Sequence, residues 1–154
     1  MFNLLIIIVL VAFDQILKFA ATNALSGGAT AVIIPHVLGL KYVLNSGAGF
    51  SILSGKVDFL IVITTVAMAA IAFGIFTKKF QDKFEEFCFV LILAGGIGNL
   101  IDRVMNGVVV DYLEFLFMDF PIFNFADILI CVGVGLFIAY TVYTEFLHKN
   151  KRDK

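Results

Sequence analysis

The chain has 154 residues, of which 61% are hydrophobic and only 15% charged, with a formal net charge of −1. Ordinary soluble domains are roughly 45–50% apolar and about 25% charged, so the composition argues against a soluble globular fold. The near-neutral balance, without a basic patch, argues against a polyanionic partner such as nucleic acid. The length fits a single domain over residues 1–154.

The first predicted membrane-spanning helix covers residues 2–24. The run Phe2–Phe13 is uncharged, and the length suits a span of about 20 residues. A cleaved signal peptide would want a basic start, yet the first Lys or Arg is Lys18, so the helix is expected to stay in the mature protein. Asp14 and Lys18 are spaced i, i+4 and lie on one face. A charge at mid-helix costs about 2.5–3.5 kcal/mol on insertion scales, so Asp14 is expected to face the bundle interior and support a polar site.

Residues 26–57 change character. Gly27, Gly28, Pro35, Gly39, Gly47, Gly49 and Gly55 break any long helix. Ala31–Pro35 and Leu40–Leu44 read as strands. Such backbone is not tolerated against lipid, which places this β-rich segment outside the hydrocarbon. A second span follows over 58–77, and a lysine-bearing link joins it to a third over 84–103. Gly95, Gly96 and Gly98 near the end of the third span would let another helix approach closely. Residues 104–122, with Asp111, Glu114, Asp119 and Pro121, are predicted as a loop with a short interfacial helix. The fourth span covers 123–144 and ends in a basic tail. Cys88 and Cys131 lie in apolar runs without C-x-x-C spacing, which predicts buried, inert thiols.

The fold class is therefore mainly α: a polytopic membrane protein with four transmembrane helices, a small extracytoplasmic β-rich segment and an interfacial helix. Lys78, Lys79 and Lys83 in the 2–3 link, with Lys149, Lys151, Arg152 and Lys154 in the tail, outnumber Lys41, Lys56 and Arg103 on the other side. The positive-inside rule then predicts cytoplasmic N- and C-termini and an outer position for 26–57 and 104–122.

This topology gathers polar residues at one depth. Asn99, Asp102 and Arg103 fall at the outer end of the third span. Asn124 and Asp127 fall at the outer start of the fourth, Asp14 in the outer half of the first, and Asn45 and Asp111 in the outer segments. The pattern Asn-x-x-Asp occurs twice, at Asn99/Asp102 and Asn124/Asp127. The turn around Pro121 lets Asp111 and Asp127 meet. Two adjacent carboxylates share a proton, and such a pair can activate water with one member and donate a proton with the other. His36 and His148 are the sole histidines, and no H-E-x-x-H zinc motif is present. Physics alone leaves an enzyme and a small transporter with a carboxylate relay as open alternatives.

The chain resembles the lipoprotein signal peptidase (signal peptidase II) family of bacterial membrane aspartyl proteases. The matching pieces are Phe13-Asp14-Gln15 with Lys18, Asn45-Ser46-Gly47-Ala48-Gly49-Phe50, Gly98-Asn99-Leu100-Ile101-Asp102-Arg103, Val110-Asp111-Tyr112 and Phe123-Asn124-Phe125-Ala126-Asp127. The resemblance implies cleavage of prolipoproteins before a diacylglyceryl-modified cysteine, in the cytoplasmic membrane. It implies Asp111 and Asp127 as the catalytic pair, with Asn45, Asn99, Arg103 and Asn124 binding substrate or orienting the pair. Asp14, Lys18, Asp102 and Gly47 take supporting roles. It further implies no metal or organic cofactor, inhibition by the cyclic peptide globomycin, contact with membrane lipids, and an outer segment shaped as a small β-cradle. A monomer is expected, since one chain carries the whole set.

Overall fold

The computed structural model describes residues 2–47, 55–80 and 82–152, with side chains through 146. Ala48, Gly49 and Phe50 of the asparagine–glycine box lie outside the described residues. Four long helices, α1 (Phe2–Leu25), α2 (Val57–Phe76), α3 (Lys83–Asn106) and α4 (Phe125–Arg152), alternate with three strands. The strands are β1 (Thr30–Ile34), β2 (Leu38–Asn45) and β3 (Val109–Phe115). Each helix is long and apolar enough to cross a membrane, α4 over Phe125–Phe146. The ends differ from the sequence expectation by a few residues, most at α3 and α4, which run past 103 and 144.

α3 is the centre of the bundle: 56% of its span is buried inside the protein, against 22% or less for the other three. Val90, Leu91, Leu93 and Ala94 of α3 pack with Ile7 of α1, Ile75 of α2 and Leu129 of α4. Glycines make the α3–α4 contact close. A Cβ on Gly95 would sit 2.3 Å from the Ala126 carbonyl oxygen, and one on Gly133 would sit 2.8 Å from that of Cys88. Without a hydrophobic drive between helices in lipid, such small-residue contacts carry the association.

The ends of α3 are written in its sequence. Asp82 caps the start, its carboxylate accepting from the backbone N–H groups of Phe84 and Glu85 at 2.8 and 2.9 Å. Glu85 and Glu86 in the first turn suit the helix dipole. Gly107 closes the helix in the left-handed conformation, φ 72°, with its N–H on the Arg103 carbonyl, a conformation that glycine adopts without steric cost.

The strands form one antiparallel sheet in the order β1-β2-β3. Pro35 and His36 make the β1–β2 turn, with Val37 N–H donating to the Ile34 carbonyl at 3.0 Å and His36 at φ 60°. The expected interfacial helix in 104–122 is corrected here: residues 109–115 are a strand. The run Val108–Phe115 is rich in β-branched and aromatic residues, and β2 offers an otherwise open edge with which it pairs. The β2–β3 register shifts between Leu40 and Val43, after which Val43 faces Asp111 and Asn45 faces Val109. A bulge of this kind resets which side chains share a face. Here it puts Asn45 diagonal to Asp111, on the same side of the sheet.

Candidate active site

The polar residues meet where the sheet caps the end of α3 and the start of α4. Asp14, Lys18, Asn99, Asp102, Asp111 and Asn124 are all buried, so each needs a hydrogen-bonding account.

The second Asn-x-x-Asp pattern is a helix cap. The Asn124 side-chain oxygen accepts from the Asp127 N–H at 3.0 Å, and the Asp127 carboxylate accepts from the Asn124 N–H at 3.1 Å. This is the reciprocal capping arrangement at the start of a helix. The first pattern has the same spacing and different physics. Asn99 and Asp102 sit near the end of α3 and serve separate partners. Asp102 accepts from the Val110 N–H at 3.1 Å, while the Asn124 amide reaches the Val110 carbonyl at 3.3 Å. Together those two side chains stand in for a fourth strand beside Val110, and so hold the backbone next to Asp111.

Three carboxamides address the two candidate carboxylates in the same way. The Asn45 oxygen accepts from the Gly47 N–H at 2.9 Å, and its amino group donates to Asp111 Oδ2 at 2.9 Å. The Asn124 oxygen is taken up in the cap, and its amino group donates to Asp111 Oδ1 at 2.7 Å. The Asn99 oxygen accepts from Lys18 Nζ at 2.9 Å and from Asn124 at 3.1 Å, and its amino group donates to Asp127 Oδ1 at 2.8 Å. In each case an anchored oxygen forces the donor end toward a carboxylate.

Behind these lies a buried ionic layer. Lys18 bridges Asp14 and Asp102 at 2.9 and 3.0 Å. With Lys18 almost fully buried, it does not snorkel to the surface. Asp14 also accepts from the Ala126 N–H at 2.9 Å, a cap for α4 supplied by α1. Gln15, given no role from sequence, donates to Asp102 at 3.0 Å, to the Gly98 carbonyl at 3.2 Å and to Asp14 at 3.2 Å. Its adjacency to Asp14 in a motif was the one available signal. Arg103 donates to the Gly47 carbonyl at 2.8 Å, tying the end of α3 to the chain after β2.

A cavity of about 460 Å³ opens on the network. Its polar corner is Asn45, Asn99, Arg103, Asp111 and Asp127, and the rest is apolar, from Phe115, the 120–123 stretch and one face of α4. Cys131 lies on that face and is exposed, contrary to the expected burial, while Cys88 is buried as expected. Asp119 is on the exposed loop.

Burial pushes the Asp111 carboxyl up to about 6, and the Asp127 charge adds to the rise. Hydrogen bonds from Asn45 and Asn124 and the Lys18 charge oppose it. A carboxyl so placed can hold a proton close to neutral pH, beside a second carboxylate that accepts two hydrogen bonds at a helix start. Such a pair can carry out general acid–base chemistry.

Comparison with known proteins identifies the family of the chain. The family model described as signal peptidase (SPase) II matches residues 6–143. A lipoprotein signal peptidase of Staphylococcus aureus is 34% identical over 99% of this chain and 93% of its own length. One from Lactococcus lactis subsp. cremoris is 44% identical over 89% of this chain and 91% of its own. A solved bacterial membrane enzyme structure, obtained by the in meso method at 2.3 Å, superposes with a TM-score of 0.85 at 35% identity. That match covers 92% of this chain and 87% of the other. With four helices long and apolar enough to span a membrane and relatives matched over nearly their whole length, the chain belongs to the signal peptidase II family.

Proposed function

We propose that this protein is a lipoprotein signal peptidase of the aspartic type, with Asp111 and Asp127 as its catalytic pair. The observation that carries the reading is the shared cavity: both carboxylates line it, and each receives an amide donor whose other end is anchored. Asp127 lies in the first turn of α4, where the helix dipole favours a negative charge. It serves as the base. Asp111, whose carboxyl is raised by burial, holds the proton of the pair.

The reaction then runs in two proton-balanced steps. Asp127 takes a proton from a water that adds to the scissile carbonyl carbon, while Asp111 gives its proton to the carbonyl oxygen. Asp127 next passes its proton to the leaving nitrogen as the C–N bond breaks, and Asp111 recovers one from the diol hydroxyl. The products are a free carboxyl and a free amine, and the pair is reset.

The substrates are prolipoproteins modified by diacylglyceryl at the cysteine after the scissile bond. The apolar cavity wall of Phe115, Phe123 and Ile128 suits a substrate held in the bilayer. In this reading Arg103 and Asn45, which line the cavity, contact its backbone. The lysines at the α2–α3 link support cytoplasmic termini and an outward-facing site. The enzyme works as a monomer, without metal or organic cofactor, and globomycin occupies the same cavity.

Purified protein in detergent tests the reading with a diacylglyceryl-modified prolipoprotein. Wild type cleaves it and globomycin stops the cleavage. Asp111→Asn and Asp127→Asn, each shown to be folded, leave no more than a trace. Near-normal cleavage by either variant would sink the assignment of the pair.

A further inference from the structure

Lys18 is 3% exposed and lies in the membrane-spanning part of α1. Its ammonium has three acceptors: Asp14 Oδ2 at 2.9 Å, Asp102 Oδ2 at 3.0 Å and Asn99 Oδ1 at 2.9 Å. An ammonium carries three donors and no acceptor, so nothing is left over for substrate. Whatever Lys18 does, it does through the groups that it holds.

Two of those groups are acidic and the third is not. Asp14 and Asp102 would suffice to neutralise a lysine. The third bond goes to Asn99, and from Asn99 the network divides. The Asn99 amino group donates to Asp127 at 2.8 Å. The Asn99 oxygen also accepts from Asn124 at 3.1 Å, and the Asn124 amino group donates to Asp111 at 2.7 Å. One buried cation therefore stands at the root of two of the three amide contacts to the pair, the third coming from Asn45. Of the charged and titratable groups on the elements packed around it, Asp14 on α1 and Asp102 on α3 pair with it directly and Asp111 on β3 feels its charge; the others are Arg103 on α3, Tyr42 on β2, Tyr112 on β3 and Asp127 on α4.

We propose that Lys18 is a positioning residue of the catalytic pair, which locks Asn99 and Asn124 as donors and thereby sets the protonation of Asp111 and Asp127. The geometry gives the reason. If the Asn99 amide turned over, its oxygen would face an Asp127 oxygen, acceptor against acceptor, and only an added proton would relieve the contact. Lys18 forbids that turn, because the displaced amino group would meet an ammonium with no acceptor to offer. The positive charge acts in the same sense at a distance, opposing the burial that raises the Asp111 carboxyl.

The inference rests on the assignment of the pair made above, and the test separates the two. Activity of the full-length protein in detergent is measured against pH for wild type, Lys18→Arg, and Lys18→Met combined with Asp14→Asn. The second change keeps two unpaired carboxylates from being left in the interior. In the double variant kcat falls about 10²-fold, as for a misplaced catalytic group, with KM changed by far less, and both limbs of the pH profile move to higher pH. Lys18→Arg keeps the limbs at their wild-type positions, whatever its rate. A double variant with slow turnover and unmoved limbs would show a structural role alone and overturn the proposal. Should neither variant fold, the wild type still decides. With lysine labelled at 13Cε, the solvent-protected lysine signal follows the activity limbs if Lys18 is coupled to the pair. A flat signal overturns the proposal. A wild type that fails to cleave, before any lysine is changed, overturns the proposed function instead.

Discussion

Asn124 and Asp111 are joined by the shortest amide–carboxylate contact of the site, 2.7 Å between Asn124 Nδ2 and Asp111 Oδ1. The same asparagine caps α4 through its reciprocal bonds with Asp127. One residue thus links a helix start to a strand and ties together the two carboxylates proposed to react. Removing it affects fold and chemistry together. Asn124→Ala is expected to cost about 1–2 kcal/mol of stability through the lost cap, and about 10²-fold in kcat through displacement of the pair. Thermal unfolding in detergent and steady-state cleavage measure the two losses separately.

Gly98 is a second point at which packing meets chemistry. A Cβ there would sit 2.6 Å from Asp14 Oδ2 and 3.3 Å from the Ala126 Cβ. Gly98→Ala is expected to destabilise by about 1–3 kcal/mol, because the carboxylate it displaces is held by Lys18 and the Ala126 N–H. Gly135, also in a span, has nothing within 4 Å of such a Cβ. Gly135→Ala should keep full activity and stabilise by up to about 1 kcal/mol. A melting temperature lowered in the first variant and not in the second checks the contrast.

The pH behaviour follows from Asp111. Its carboxyl is at about 6 in the folded protein instead of the usual 3.8. Between those values the folded protein holds a proton that the unfolded chain has released, so stability falls as pH rises from about 4 through 6 and then levels. At about 1.4 kcal/mol per unit, the loss is on the order of 3 kcal/mol. Asp111→Asn does not titrate and should show a correspondingly smaller loss between pH 4 and 7. Unfolding at both pH values, for both proteins, gives the difference.

On the proposed mechanism the same proton governs turnover. With Asp111 as the acid, kcat/KM is expected to fall on the alkaline side of about 6, since it reports the free enzyme. The corresponding limb of kcat should lie higher, because bound substrate excludes water and further disfavours the charged carboxylate. Coincident limbs in the two profiles would count against Asp111 as the proton holder.

A surface control is available at Lys41 and Glu114, 3.6 Å apart and partly exposed on the sheet. Pairs of this kind contribute about 0–1 kcal/mol. Glu114→Gln is expected to leave both stability and cleavage near wild type. A large loss of either would mean that the sheet does more than carry Asn45 and Asp111.

The sequence alone determined the four spans, because uncharged runs of that length have few other stable settings, although it ended the third at 103 and α3 runs on to Asn106. It also singled out the polar residues, since buried charge in apolar sequence is costly enough to demand a reason. Tertiary structure decided the rest. Val109–Phe115 became a strand because β2 offered it an edge, which no local pattern records. The two Asn-x-x-Asp pairs look alike in sequence, yet only the one at a helix start closes into a cap. Which way each carboxamide points depends on partners 13 to 66 positions away, and what Lys18 and Gln15 hold in the network depends on partners 81 and 87 positions away. Hydrogen-bond direction is set by what lies across the fold, and a linear pattern carries no term for it.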